Sequence, residues 1–203
     1  MAEAAARLSR RRLLALAALA PVAQVHAGAQ LEEPLVDAVR TALSAAVHNS
    51  APPVPEFSDP ALRAHYQDWL AVNDKRLFSR MPEASTRQEF LSTVWYEAKR
   101  AGLDVELVLG VVQVESAFRK FAISRVGARG FMQVMPFWAR LIGDGDPGVL
   151  FHTQTNLRFG CVILRHYTDR EAGDLFMALG RYNGSRGQAA YPDAVMAASR
   201  AWR

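Results

Sequence analysis

The sequence predicts an all-α protein, and three observations carry that prediction. Apolar residues recur at helical spacing in one segment after another. Glycines and prolines separate those segments. No stretch alternates polar and apolar residues with the period of two that a half-buried strand requires. At 203 residues the chain can bury one core with an extension, and it contains no internal repeat.

Residues 1–27 read as a signal peptide. Arg7, Arg10, Arg11 and Arg12 form a basic start, Leu13 to Ala20 is a short apolar run, and Val25-His26-Ala27 is a small-residue cleavage pattern. The run is too short to span a bilayer comfortably. Ser9-Arg10-Arg11-Arg12-Leu13-Leu14 also has the form of a twin-arginine motif, so both that route and general secretion stay open. The expected location is outside the cytoplasm, in the periplasm or cell envelope.

Residues 28–79 form a helical N-terminal extension. Leu35, Val39, Leu43 and Ala46 make an amphipathic stripe within Glu33 to Val47, and Ala51-Pro52-Pro53-Val54-Pro55 is a proline-rich linker that cannot continue a helix. Asp59-Pro60 is a helix start, with the helix expected to run to Leu77.

Residues 80–203 form the main helical domain. Thr86-Arg87-Gln88-Glu89 has the form of a capping box, Phe90, Val94 and Ala98 share a face, and Gly102 closes that helix. Asp104 caps the next, which ends at Glu115. Ser124 to Gly130 is a loop, and Pro136 suits the first turn of a short helix through Ile142. Further helices are expected over 155–169, 174–182 and 192–202.

Glu115 stands out on the central helix. Leu107, Val108, Val111, Val112 and Phe118 recur at helical spacing, and a carboxylate occupies the same stripe. Burial disfavours the charged form and lifts a glutamate's pKa toward neutrality, which makes Glu115 a candidate general acid. Periodicity alone allows the alternative of a helix-end glutamate whose head reaches water.

The surrounding motifs add to this. Glu115-Ser116-Ala117-Phe118, then Ser124, then Gly127-Ala128-Arg129-Gly130-Phe131-Met132-Gln133-Val134-Met135-Pro136 resemble the signature of lytic transglycosylases with a lysozyme-like catalytic domain of the soluble lytic transglycosylase (SLT) type. Thr155-Asn156-Leu157-Arg158-Phe159-Gly160 and Arg181-Tyr182-Asn183-Gly184 continue the resemblance in the same order. It implies a lysozyme-like helical fold. It also implies cleavage of peptidoglycan glycan strands between N-acetylmuramic acid and N-acetylglucosamine, leaving a 1,6-anhydromuramic acid end. Glu115 is then acid and base in turn, with Ser124, Gln133, Met135, Tyr182 and Asn183 as substrate-binding residues and Ser116 as support at the helix end. Tyr182 matches the tyrosine beside the glutamate. The chain departs from the commoner pattern after Asn183, where Gly184-Ser185-Arg186-Gly187 and then Gln188 to Val195 stand.

Conventional glycosidases need a second carboxylate. Asp144, Asp146, Asp169, Glu171, Asp174 and Asp193 all lie in turns or near helix ends, and read as solvated acids rather than partners of Glu115. The alternatives are a lysozyme-type muramidase and a non-catalytic wall-binding or assembly protein on the same fold.

Other classes are excluded by composition. The net charge is +4, but three of those charges lie in residues 1–27, so the remainder is near +1 and carries no basic cluster for nucleic acid. Gly143-Asp144-Gly145-Asp146-Pro147-Gly148 matches a dinucleotide pattern only in letters, since it follows a helix and presents aspartates where phosphates would sit. No metal-ligand spacing is present, so neither metal nor cofactor is expected. Cys161, the sole cysteine, shares a helical face with Leu157 and Leu164 and reads as a packed thiol. A monomer is expected, and any cell-wall or secretion-complex partner is unassigned.

Overall fold

The computed structural model describes residues 57–141 and 145–203, together with Thr41. The signal segment, the helix expected within Glu33 to Val47 and the proline-rich linker therefore lie outside the described residues, Thr41 and Phe57 onward excepted. The described chain is helical: α1 (Pro60–Leu77), α2 (Ala84–Arg100), α3 (Val105–Ser116), α4 (Pro136–Leu141), a 3-10 turn (Pro147–Phe151), α5 (Thr153–Arg170), α6 (Leu175–Asn183) and α7 (Ala190–Ala201). Among the described residues no strand forms; the loop before α4 contains only the isolated bridges Ile123–Arg129 and Arg129–Val134.

Local chemistry sets the boundaries. Asp59 caps α1 by accepting from the Ala61 amide at 2.8 Å, with Pro60 in the first turn. Helix α2 ends in a Schellman arrangement: Gly102, at φ +65°, donates to Lys99 O and Leu103 donates to Ala98 O. The expected capping box at Thr86 is not the start of α2. The helix begins three residues earlier, where Glu83 accepts from the Ser85 amide and hydroxyl. Asp104 occupies the N-cap of α3 but makes no side-chain capping bond. The 3-10 turn was not expected. Asp146 holds its first residues by accepting from the Gly148 amide at 2.7 Å, so this part of the glycine-rich stretch is a capped turn.

The core runs between α2, α3 and α5 and closes over α7. Phe90 meets Phe131 at 4.7 Å and Phe118 edge-on at 5.9 Å, and Phe118 in turn meets Trp202. Helix α1 is tied to α2 by Tyr66 and Trp69, each 5.1 Å from Trp95. Cys161 is fully buried in this core, where burial and the nearby Glu97 push its thiol pKa up.

Helices α3 and α7 pack with almost no side chain between them at one point. A methyl group on Gly110 would stand 2.3 Å from Ser199 Oγ and 2.9 Å from the Val195 carbonyl. Trp202 Nε1 donates to Gln113 Oε1 at 2.8 Å further along the same seam. This close approach fixes what α7 presents to the end of α3.

Candidate active site

Helix α3 ends in a left-handed turn made by two residues that are not glycine, Ala117 at φ 50° and Phe118 at φ 65°. The reversal keeps Phe118 in the core and leaves Glu115 in the last helical turn. Ser116 donates its hydroxyl to Val112 O at 3.1 Å, and Arg119 Nε donates to Ser116 O at 2.9 Å, so the turn is held by both neighbours.

Glu115 is only 6% exposed. Its Oε1 accepts one hydrogen bond, from the Tyr191 hydroxyl at 2.7 Å, while Oε2 is buried without a partner. Burial pushes the Glu115 pKa up to about 8, and the Tyr191 hydrogen bond offsets part of that rise. The carboxyl is therefore protonated at neutral pH, with one oxygen fixed and a proton available to donate. Tyr191 is itself buried, and burial followed by the adjacent Glu115 raises its own pKa.

The Tyr182 hydroxyl donates to the Met132 carbonyl at 2.7 Å, and the ring is fully buried. The Tyr191 hydroxyl on Glu115 comes from α7. One sequence signal could have found it, since Tyr191, Val195, Ser199 and Trp202 share the buried face of α7.

The remaining motif residues build the loop between α3 and α4. Asn156, at the start of α5, accepts from the Met132 amide and donates to the carbonyls of Arg129 and Leu150, all at 2.8 Å. Gly160 leaves room for Met132, whose Sδ would lie 2.3 Å from an added methyl group. Gln133 sits at φ 48° and is buried, with Nε2 donating to Ala122 O and Gly130 O. Its amide nitrogen is thus engaged with backbone.

Ser124 is half-buried in the same loop and accepts from the Ala128 amide at 3.0 Å; its own proton has no acceptor among the described residues. Met135 is half-buried against the core. Asn183, at the end of α6, is buried and accepts from the Ser185 hydroxyl at 3.0 Å.

The other described carboxylates have different settings. Asp146, Asp174 and Asp193 are exposed, and Asp169 pairs with Arg165 on the surface of α5. Glu171 is not solvated as expected. Arg181 and Arg186 both grip it, at 2.6 and 2.8 Å, and hold its pKa down to about 2. Glu97 is fully buried on α2; Arg158 Nε contacts both of its oxygens at 2.9 and 3.0 Å. Among the described residues Glu115 is thus the buried carboxyl without a cation. No cluster of three or more metal-ligating side chains occurs among the described residues, and no described helix is long and apolar enough to cross a membrane.

Residues 92–195 match the family model of the transglycosylase SLT domain. The chain is 35% identical over 115 residues to a transglycosylase of Enterobacteria phage PRD1, covering 53% of this chain and 42% of the relative. It is 36% identical over 85 residues to a membrane-bound lytic murein transglycosylase C of Actinobacillus pleuropneumoniae, covering 38% of this chain and 23% of that protein. The chain thus aligns with less than half the length of these curated relatives. Among solved structures, the lytic transglycosylase Slt of Pseudomonas aeruginosa superposes with a TM-score of 0.45 at 18% identity, over 84% of this chain and 34% of that one.

Proposed function

The chain belongs to the transglycosylase SLT domain family, and we propose that it is a peptidoglycan lytic transglycosylase in which Glu115 is the catalytic residue. The observation that supports this reading is the state of Glu115: a buried carboxyl, protonated at neutral pH, with no cation beside it and no second acid in a like setting among the described residues. That pattern suits a one-carboxylate reaction.

In this reaction Glu115 donates its proton to the glycosidic oxygen between N-acetylmuramic acid and N-acetylglucosamine as the C–O bond breaks. The substrate's own N-acetyl group stabilises the positive charge at the anomeric carbon. The Glu115 anion then takes the proton of the muramic acid C6 hydroxyl, whose oxygen closes onto the anomeric carbon to give the 1,6-anhydro ring. The carboxyl ends protonated, as it began. A pKa near ambient pH lets one group serve in both directions, and the Tyr191 hydroxyl steadies the anion between the two steps.

Ser124, Met135 and Asn183 are the side chains assigned here to the glycan. Gln133 and Tyr182 act on it through the loop they hold, and Ser116 supports the helix end. Peptidoglycan glycan strands are the proposed partner, and residues 1–27 the proposed export signal to the periplasm or cell envelope.

The test is Glu115→Gln. The amide keeps size and shape but holds no transferable proton, so glycan strands should still bind and cleavage should cease. Cleavage that survived the substitution would remove the basis of this reading.

A further inference from the structure

The loop that follows Glu115 carries apolar side chains in water. Phe121 is 72% exposed, Ile123 64% and Val126 53%, on a loop otherwise closely hydrogen-bonded to α5 and α6. The Phe121 ring lies 5.8 Å from that of Phe151, a half-buried residue closing the 3-10 turn. The guanidinium of Arg129 sits over Phe151 at 5.4 Å, and Lys120 lies 5.9 Å from the Phe121 ring.

Arg129 is the unusual member. Its Nε is buried with no hydrogen-bond partner, and no described carboxylate pairs with it. A guanidinium held in place and left without an acceptor is suited to a planar anion. Paired aromatic rings beside it offer a face to the C–H groups of a sugar ring.

We propose that Phe121, Phe151 and Arg129 form a binding site for a pyranose that bears a carboxylate. The rings take the sugar face and the guanidinium takes the anion. This rests on the transglycosylase reading, because in the proposed substrate the carboxylate has two sources. One is the lactyl group of peptide-free muramic acid; the other is the peptide attached to it. The site takes a carboxylated pyranose in preference to an uncharged one such as N-acetylglucosamine.

The experiment is calorimetric titration of the full chain carrying Glu115→Gln, with and without Arg129→Met or Phe121→Ala. The ligands are peptide-free glycan strands, peptide-bearing strands and chito-oligosaccharides. Methionine keeps the apolar stem over Phe151 and removes the charge. Arg129→Met should weaken carboxylated glycan about tenfold and leave chito-oligosaccharides unchanged; Phe121→Ala should weaken all three. Loss confined to peptide-free strands assigns the lactyl carboxylate, and loss confined to peptide-bearing strands assigns the peptide.

Equal loss on uncharged and carboxylated ligands with Arg129→Met would overturn the site. So would unchanged glycan affinity accompanied by lost binding to phosphatidylglycerol vesicles, which would make the loop a membrane contact. Should the unmodified chain release anhydro ends while both variants bind normally, this site fails and the function stands. No anhydro ends and no glycan binding by any form would remove both.

Discussion

The Tyr191 hydroxyl donates to Glu115 Oε1 at 2.7 Å, joining α7 to the end of α3, while the other oxygen of the same carboxyl has no partner. The bond favours the anion and works against burial, which dominates. Tyr191→Phe should therefore raise the Glu115 pKa further above about 8. The alkaline limb of the kcat/KM profile should move to higher pH, and kcat should fall about tenfold as the anion loses its donor. A profile that stayed in place would mean the bond does not tune the acid.

Glu115 also makes stability depend on pH in a defined direction. Its folded pKa of about 8 lies above its ordinary value of 4.5, so between these values the folded state holds a proton that the unfolded state has released. The contribution is fully present below pH 4.5 and is lost as pH rises to about 8. Relative to Glu115→Gln, the unmodified protein should lose on the order of 5 kcal/mol across that window. Urea unfolding of both proteins from pH 4 to 9 checks it; parallel curves would contradict the buried acid.

Helical periodicity made most of these elements legible, and a carboxylate on an apolar stripe made Glu115 legible before any contact was known. Tyr191 was legible only as a residue of the buried face of α7, because its meeting with Glu115 spans 76 positions and depends on how closely Gly110 lets α7 approach. The Glu97–Arg158 pair spans 61 positions and was hidden for the same reason. Short-range misreadings had a different cause. Thr86 to Glu89 carries a capping pattern inside a helix that Glu83 already starts, and a five-residue 3-10 turn is too short to show a period. The Tyr182 block is present in sequence, but its letters do not say that the hydroxyl is bonded to the Met132 carbonyl.

Asn156 makes three hydrogen bonds to the loop that follows Glu115 and the turn before α5. Asn156→Ala leaves the Met132 amide and two carbonyls without their partner, and should cost about 3 kcal/mol in urea unfolding. Activity measured well below the new melting temperature should still fall, because Ser124 and Met135 are no longer held. Full activity under those conditions would show that the loop needs no such clamp.

Glu171 gives the opposite pH signature. Its pKa is held down to about 2 by Arg186 and Arg181, below its ordinary 4.5. The stabilisation is present above pH 4.5 and is lost as pH falls toward 2. Glu171→Gln should therefore be less stable than the unmodified protein at pH 6, and the two should converge near pH 2. Activity per folded molecule should be unchanged, which separates this acid from Glu115.

The most direct measurement is mass spectrometry of the soluble products released from isolated peptidoglycan. Glycan ends bearing anhydromuramic acid, one water lighter than hydrolysed ends and absent with Glu115→Gln, are the expected result. Reducing muramic acid ends would contradict it, since they show that water and not the C6 hydroxyl attacked the anomeric carbon.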